Sequence, residues 1–519
     1  MREKHVNINS VITENERLRS KRRRTGVLVS YLYTIAQVVV NLIYVPLLLS
    51  IIGRTEYGLY QTVGAIMSYL ISVNSILSAG ISRFYCMYKA KNDDKMMEST
   101  LSIAKRLYWG VSAVAVLVVV LLIPVMRAAY ASSYTPVQLD ECSAMLVVLA
   151  INMVITFNNT INIAAINANE RFVFMKSTQL LTLVAQPFLI ILLGRFFPNA
   201  ITITVVVLVM NILCASVQRI YAQGFLRIRY TFHGWNKQLI RSLLGYSGTI
   251  VLVMVADQIF WNSGKLLIGY FSGADFVAVF GVGSQIYSAY LFAGMAISGV
   301  FFQRVSDLVH ARHDMKAVSE LFARVGRISF TALFLIFGGF LFLGKDFVTL
   351  WAGDEYLDAY WVAIAVMAPM TIDLIQNLGL TILQVLDKYA FRGYIYIVLS
   401  IANILISLIM IPRWGIVGAA LSSGMCMFVG NGLIMNWYYR KYTGIDIGLF
   451  WKEVLRCGLP LVGVVFAMVI VRIIFPVKTL NWAELVILGL IYFASYCAIY
   501  WKFCSNEWER QSFCSVLMK

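Results

Sequence analysis

Apolar runs of about twenty residues recur along the whole chain, separated by short polar stretches. A helix needs about 20 such residues to cross the hydrocarbon core of a bilayer. The pattern predicts fourteen spans, at 26–52, 59–82, 107–126, 143–165, 177–194, 200–218, 246–270, 276–302, 328–344, 360–384, 393–412, 416–438, 457–476 and 482–501. No polar stretch is long enough for a separate soluble domain. The first run, Gly26 to Ile52, is too long for a signal-peptide core and no small-residue cleavage site follows it, so it reads as a retained helix. The expected fold class is an all-α integral membrane protein.

The polar positions inside these runs are few and aligned. The span 246–270 carries Asp257, Gln258, Asn262 and Lys265 in its middle. Gln258, Asn262 and Lys265 stand at i, i+4 and i+7 and share a face, with Asp257 and Trp261 beside it. A charge at the bilayer centre costs roughly 2.5–3.5 kcal/mol on insertion scales, so two in one helix imply a paired or water-lined interior and suggest a transport route. Eight residues, about 12 Å of helix, separate the acid from the base, so their partners belong on other helices. Span 143–165 aligns Asn152, Thr156, Asn159 and Thr160, with Asn167 just beyond. Span 360–384 aligns Asp373, Asn377, Thr381 and Gln384, with Gln376 alongside; the second span lines up Ser72, Ser75 and Ser82 and ends in Arg83. Interhelical hydrogen bonds of about 0.6 kcal/mol per pair account for the hydroxyls. The asparagine runs and Asp373 point instead to a hydrated central cavity to which both halves contribute.

The halves resemble each other. The stretch Gly53 to Tyr60 and the stretch Gly273 to Phe280 share a glycine turn leading to an aromatic that opens the next helix, 220 residues apart. Glu170-Arg171-Phe172-Val173-Phe174 and Asp387-Lys388-Tyr389-Ala390-Phe391 match at an offset of 217. Two anchors at nearly one offset predict that helices 1–6 and 7–12 are copies of one unit, in the same orientation because six is even. The expected division is a basic tail at 1–25, six-helix bundles at 26–230 and 231–445, and two additional helices with a tail at 446–519.

Composition agrees with the pattern: 60% of residues are hydrophobic and 13% charged, against about a quarter charged in a soluble domain. The net charge of +17 is not a nucleic-acid signature. With the N-terminus inside, 35 of the 43 Lys and Arg fall in inner segments, including Lys21, Arg22, Arg23 and Arg24, which is the positive-inside rule at work. Arg392 and Arg327 count among these inner-loop charges, whereas Lys265 and Arg472 lie within spans. The eight cysteines have no C-x-x-C spacing, so neither a disulfide framework nor a metal site is expected. His310 and His313 are spaced as two metal ligands can be, but basic residues surround them and further ligands are missing. No phosphate loop and no catalytic constellation occurs, so the chain is expected to be no enzyme and to hold no cofactor.

Several segments resemble one family. Gly53-Arg54-Thr55-Glu56-Tyr57-Gly58-Leu59-Tyr60 resembles the first outer turn of bacterial polysaccharide flippases, the O-antigen and exopolysaccharide transporters. Ala256-Asp257-Gln258-Ile259 and Lys265-Leu266-Leu267-Ile268-Gly269 look like that family's seventh helix, and the stretch Gly344 to Gly353 like its outer turn after helix 9. Asn403 and the hairpin Ile411-Pro412-Arg413-Trp414-Gly415-Ile416-Val417-Gly418-Ala419-Ala420 carry the most recognisable piece. The resemblance implies the multidrug/oligosaccharidyl-lipid/polysaccharide exporter fold, two six-helix bundles in a V plus two C-terminal helices. It implies a multi-pass protein of the bacterial cytoplasmic membrane with both termini inside, expected as a monomer.

It also implies a substrate, an undecaprenyl-diphosphate-linked oligosaccharide carried to the outer leaflet for surface polysaccharide synthesis, with polymerase and glycosyltransferase partners allowed but not required. A diphosphate crossing hydrocarbon needs cationic partners. Lys265 is the first candidate, with Arg83 and Arg304 at inner helix ends to receive the headgroup or simply to anchor the helices. Gln258, Asn262, Asn152, Asn159 and Asn377 suit sugar hydroxyls, because amides both donate and accept. The two bundles would rock about the cavity in alternating access. Asp257 and Asp373 match by helix the acids that hold the coupling cation in a branch of the related multidrug antiporters. A pairing of Asp373 with Lys265 is the competing account of that acid. Such an antiporter is the alternative function, though its members usually have twelve helices; a non-transporting scaffold of a polysaccharide machine fits the in-span charges poorly.

Overall fold

The computed structural model describes residues 8–298, 301–311, 314–474 and 480–506. Arg2, Lys4, His5, His313, Arg510 and Lys519 lie outside them. Among the described residues all regular structure is helical. In chain order the helices are α1 (Ile8–Ser72), α2 (Asn74–Ala90), α3 (Asp94–Tyr130), α4 (Pro136–Ala168), α5 (Phe172–Gly194), α6 (Ala200–Ile220), α7 (Lys237–Ser272), α8 (Ala274–Ser298), the short α9 (Phe302–Ser306), α10 (Met315–Ala352), α11 (Ala359–Ile375), α12 (Asn377–Val385), α13 (Ala390–Met427), the short α14 (Met435–Tyr438), α15 (Ile447–Ile474) and α16 (Trp482–Ile499).

Ten helical stretches among the described residues are long and apolar enough to cross a bilayer, or eleven when α11 and α12, bent by 42° at Gln376, count as one span. Two of these stretches hold two crossings each. α1 breaks at Gly53, whose φ of 77° lies in the left-handed region open to glycine, and α13 breaks at Gly415, with φ 59°. With these breaks, and with α7, each of the fourteen expected spans finds a helix. α1 begins at Ile8, so the basic run Lys21 to Arg24 lies on a helix continuous with the first span.

Two compact units divide the chain, Met1–Gln258 and Ile259–Lys519. In the first, α4 packs against α3 and α6, and α1 against α5; in the second, α11 packs against α8 and α13, and α10 against α15. Their internal details repeat. Gly53 and Gly273 both have positive φ, 77° and 87°, at the offset of 220. Glu170 and Asp387, the first residues of the second matched pair, are both left-handed, φ 55° and 56°, a conformation uncommon for residues with a Cβ. Asp93 and Asp314 cap α3 and α10 in the same way, each accepting from the backbone N–H three residues on. Phe174 stacks on Tyr221 at 3.7 Å, and 217 residues later Phe391 stacks on Tyr438 at 3.8 Å. Coincidence of turn, cap and stack at spacings of 217 to 221 residues is what an internal duplication produces.

The last two spans clasp α10. Gly338 lets α10 approach so closely that a Cβ there would lie 2.7 Å from Tyr492 Oη. Tyr492 donates to Leu335 O at 3.0 Å and Tyr496 to Thr331 O at 2.8 Å. Arg472 reaches across to Asp346 and to Phe342 O. Arg327, read from the sequence as a loop charge, is instead 3% exposed within α10. Its Nη1 meets Glu453 Oε2 of α15 at 3.2 Å, and its Nη2 donates to Cys504 O at 2.7 Å. A guanidinium suits such a junction because its fork addresses two acceptors at once.

Candidate functional site

The α7 residues expected to face one way do lie on one continuous helix, and Asp257, Gln258, Asn262 and Lys265 are all half-buried. The i, i+4, i+7 geometry therefore holds.

The first unit contains an amide ladder. Asn152 Oδ1 on α4 accepts from Asn211 Nδ2 on α6 at 2.8 Å. Two turns on, Asn159 Nδ2 donates to Gln218 Oε1 at 2.7 Å, Gln218 donates to Thr178 Oγ1 on α5 at 3.3 Å, and Asn162 donates to Asn159 Oδ1 at 3.0 Å. A cavity of about 310 Å³ opens beside these groups, between α1, α4, α5 and α6. Asn159, Asn211 and Gln218 line it together with Gln179 and Gln186 of α5, and its polar groups are neutral. The amides Asn152 and Asn159, Gln179 and Gln186, and Asn211 and Gln218 each stand seven residues apart. Seven residues is two helical turns, so each pair keeps to one face of its helix. The α5 and α6 pairs escaped the sequence reading although their spacing was the same signal as that of Asn152 and Asn159.

The second unit repeats one rung and charges another. Gln376 Nε2 donates to Asn436 Oδ1 at 2.9 Å, the counterpart of Asn159 with Gln218. Asp373 Oδ1 lies 3.8 Å from Arg392 Nη2, and Arg392 also donates to Tyr396 Oη at 3.3 Å. The expected alternative of Asp373 pairing with Lys265 is thus corrected: the carboxylate's partner is Arg392. The sequence places that arginine in an inner loop, whereas it sits within α13, where the helix begins earlier than its apolar run. Asn377 is half-buried at the start of α12. Asn403, one of the residues carrying the family resemblance, is fully buried, donates to Phe260 O at 3.1 Å and accepts from Ser422 Oγ at 2.8 Å, a role in packing.

Arg83 and Arg304 are both exposed. Arg304 stands in the last turn of α9, but Arg83, beside the Phe84 ring, lies in the middle of α2 rather than at the helix end expected from its apolar run, because α2 continues to Ala90. Their positions suit surface anchoring and first capture of a headgroup alike. His310 is exposed, and no group of metal-ligating side chains occurs among the described residues.

The ladder predicts a measurable but modest contribution to stability. Gln218→Leu strands the Asn159 amide and should lower the unfolding free energy by about 1 kcal/mol, within the range of hydrogen bonds inside membrane proteins. Thermal unfolding in detergent checks it, and an unchanged midpoint would mean that water already satisfies these amides.

Residues 24–309 match the family model described as polysaccharide biosynthesis protein. No curated protein sequence matches the chain. Among solved structures, the lipid II flippase MurJ in an inward closed conformation superposes with a TM-score of 0.65 at 13% identity, covering 92% of this chain and 99% of the other. An inward-facing multidrug resistance MATE family transporter of the MOP superfamily gives 0.62 at 12% identity, covering 79% and 95%. A MOP superfamily transporter from Pyrococcus furiosus, whose binding pocket is described as having reverse polarity, gives 0.53 at 13% identity, covering 82% and 95%. At these identities the likeness is one of fold.

Proposed function

Since the chain belongs to the polysaccharide biosynthesis protein family, we propose that it is a flippase carrying undecaprenyl-diphosphate-linked oligosaccharides from the inner to the outer leaflet. The observation that carries the proposal is the neutral, amide-lined cavity inside the first unit. Sugar hydroxyls donate and accept at once, and amides answer both needs without the desolvation cost of ions. In this reading Asn152, Asn159 and Asn377, with Gln258 and Asn262 of α7, attend to the sugars. Lys265 neutralises the diphosphate after Arg83 and Arg304 receive it.

The multidrug reading has one observation in its favour, the fold shared with a MATE transporter. A cationic drug calls for an acid in its pocket, and the polar lining of the first unit's cavity is neutral. The two readings separate in proteoliposomes: transbilayer movement of a lipid-diphosphate-linked oligosaccharide supports the flippase, whereas uptake of a small cationic drug without it overturns the proposal.

Coupling to a cation gradient is assigned to Asp257 and Asp373. Asp373→Asn should reduce gradient-driven flipping to the rate seen without a gradient while sparing passive flipping. If the Asp373–Arg392 pair only holds α11 to α13, the same variant will lose stability and remain gradient-driven, which would refute the coupling role.

A further inference from the structure

A second cavity, of about 420 Å³, lies between α3, α4 and α6 of the first unit, and its chemistry differs from that of the amide-lined one. Lys105 of α3 and Arg219, one residue before the end of α6, both line it. The Lys105 ammonium stands 5.7 Å from the centre of the Tyr230 ring, which closes the cavity from the segment after α6. Tyr230 is itself held by a 2.6 Å hydrogen bond from its hydroxyl to Asn162 Oδ1. Burial pushes the Tyr230 phenol up to about 12, against the pull of the nearby Arg219 guanidinium, so it supplies no negative charge. Among the described residues neither cation is paired with a carboxylate; Glu98, seven residues before Lys105, is engaged by His233 at 3.1 Å. Two cations thus share one cavity with neutral neighbours.

The rim is apolar. Trp109, one turn beyond Lys105, is 57% exposed, and Ile212, two turns before Arg219, is 41% exposed. Beyond Trp109, α3 exposes Val114, Leu117 and Leu121, as a helix against hydrocarbon does. Tryptophan beside basic residues marks the membrane–water boundary. A ligand here therefore meets cations at one end and hydrocarbon at the other.

We infer that the cavity between α3, α4 and α6 binds the phosphate of an anionic membrane lipid, with Lys105 and Arg219 on the phosphate oxygens and the acyl chains running past Trp109. Basic pockets between transmembrane helices on the cytoplasmic side recognise such headgroups, and the positive-inside rule puts this end there. The site needs only that the chain spans a membrane and not a particular transported substrate, although Asn159 lines both this cavity and the amide-lined one.

The test is a calorimetric titration of the purified full chain in neutral detergent with short-chain phosphatidylglycerol, phosphatidylcholine and inorganic phosphate as separate probes. Phosphatidylglycerol should bind best. Lys105→Gln and Arg219→Gln should each weaken it about fivefold and the double variant about thirtyfold, while Lys452→Gln, an exposed cation elsewhere, changes nothing. Lys105→Arg should restore most of the affinity, which separates lost charge from lost folding. Equal binding of the two lipids, or undiminished affinity in the double variant, overturns the site. Inorganic phosphate binding as tightly as phosphatidylglycerol overturns its assignment to a lipid.

Discussion

Arg327→Ala is expected to lower the unfolding free energy by about 3 kcal/mol, the low end of the range for breaking a buried ion pair. The low end applies because Glu453 keeps 27% of its side chain exposed and can be rehydrated once its partner is gone. The Cys504 carbonyl loses the Arg327 donor in the same stroke, so the start of α15 and the segment after α16 lose this tie to α10. Arg327→Lys should fall between, since an ammonium cannot fork to both acceptors. A surface pair provides the control. Arg127 and Asp140 approach to 2.5 Å, closer than Arg327 and Glu453, but their side chains are 42% and 67% exposed, so Arg127→Ala should cost less than about 1 kcal/mol. Thermal and denaturant unfolding in detergent read both. A loss below about 1 kcal/mol for Arg327→Ala would show that the last two spans are held to α10 without help from this pair.

The second large effect concerns transport. Lys265→Ala should slow flipping of the lipid-linked oligosaccharide by two to three orders of magnitude while the protein stays folded and inserted. Removing one partner from a desolvated charge pair costs about 2–5 kcal/mol, and each 1.4 kcal/mol is tenfold. Alanine is a good helix former, so α7 itself is not disturbed by the change. Lys265→Arg keeps the charge and should keep a substantial part of the rate. Fluorescent-substrate flipping in proteoliposomes measures the rate, and an unchanged melting midpoint shows that the loss is functional. Retained transport in the alanine variant would remove Lys265 from the path of the diphosphate.

Much of the fold was legible because its signals are local. Glu170 and Asp387 were matched as letters, and they prove to be paired left-handed residues at the ends of equivalent turns. The hairpins at Gly53 and Gly415 were legible for the same reason, since a turn declares itself through the few residues able to make it. The site was legible only in part. Asn152 and Asn159 stand out, but the α6 amides that bond to them and the α5 glutamines that line the cavity with them lie in runs so apolar that they read as plain spans. Arg392 was misplaced because counting basic residues assigns them to loops, and a helix that starts before its apolar run breaks that rule.

What the chain determines by itself is how often it crosses the membrane and that its two halves repeat one pattern. Both follow from transfer free energies and turn preferences summed over neighbouring residues. Only the tertiary structure decides which charge answers which. Asp373 meets Arg392 nineteen positions on, and Arg327 meets Glu453 more than a hundred positions away. Inside a bilayer every ion must find a counter-ion or a polar wall, but the energy that demands a partner carries no information about which helix will supply it.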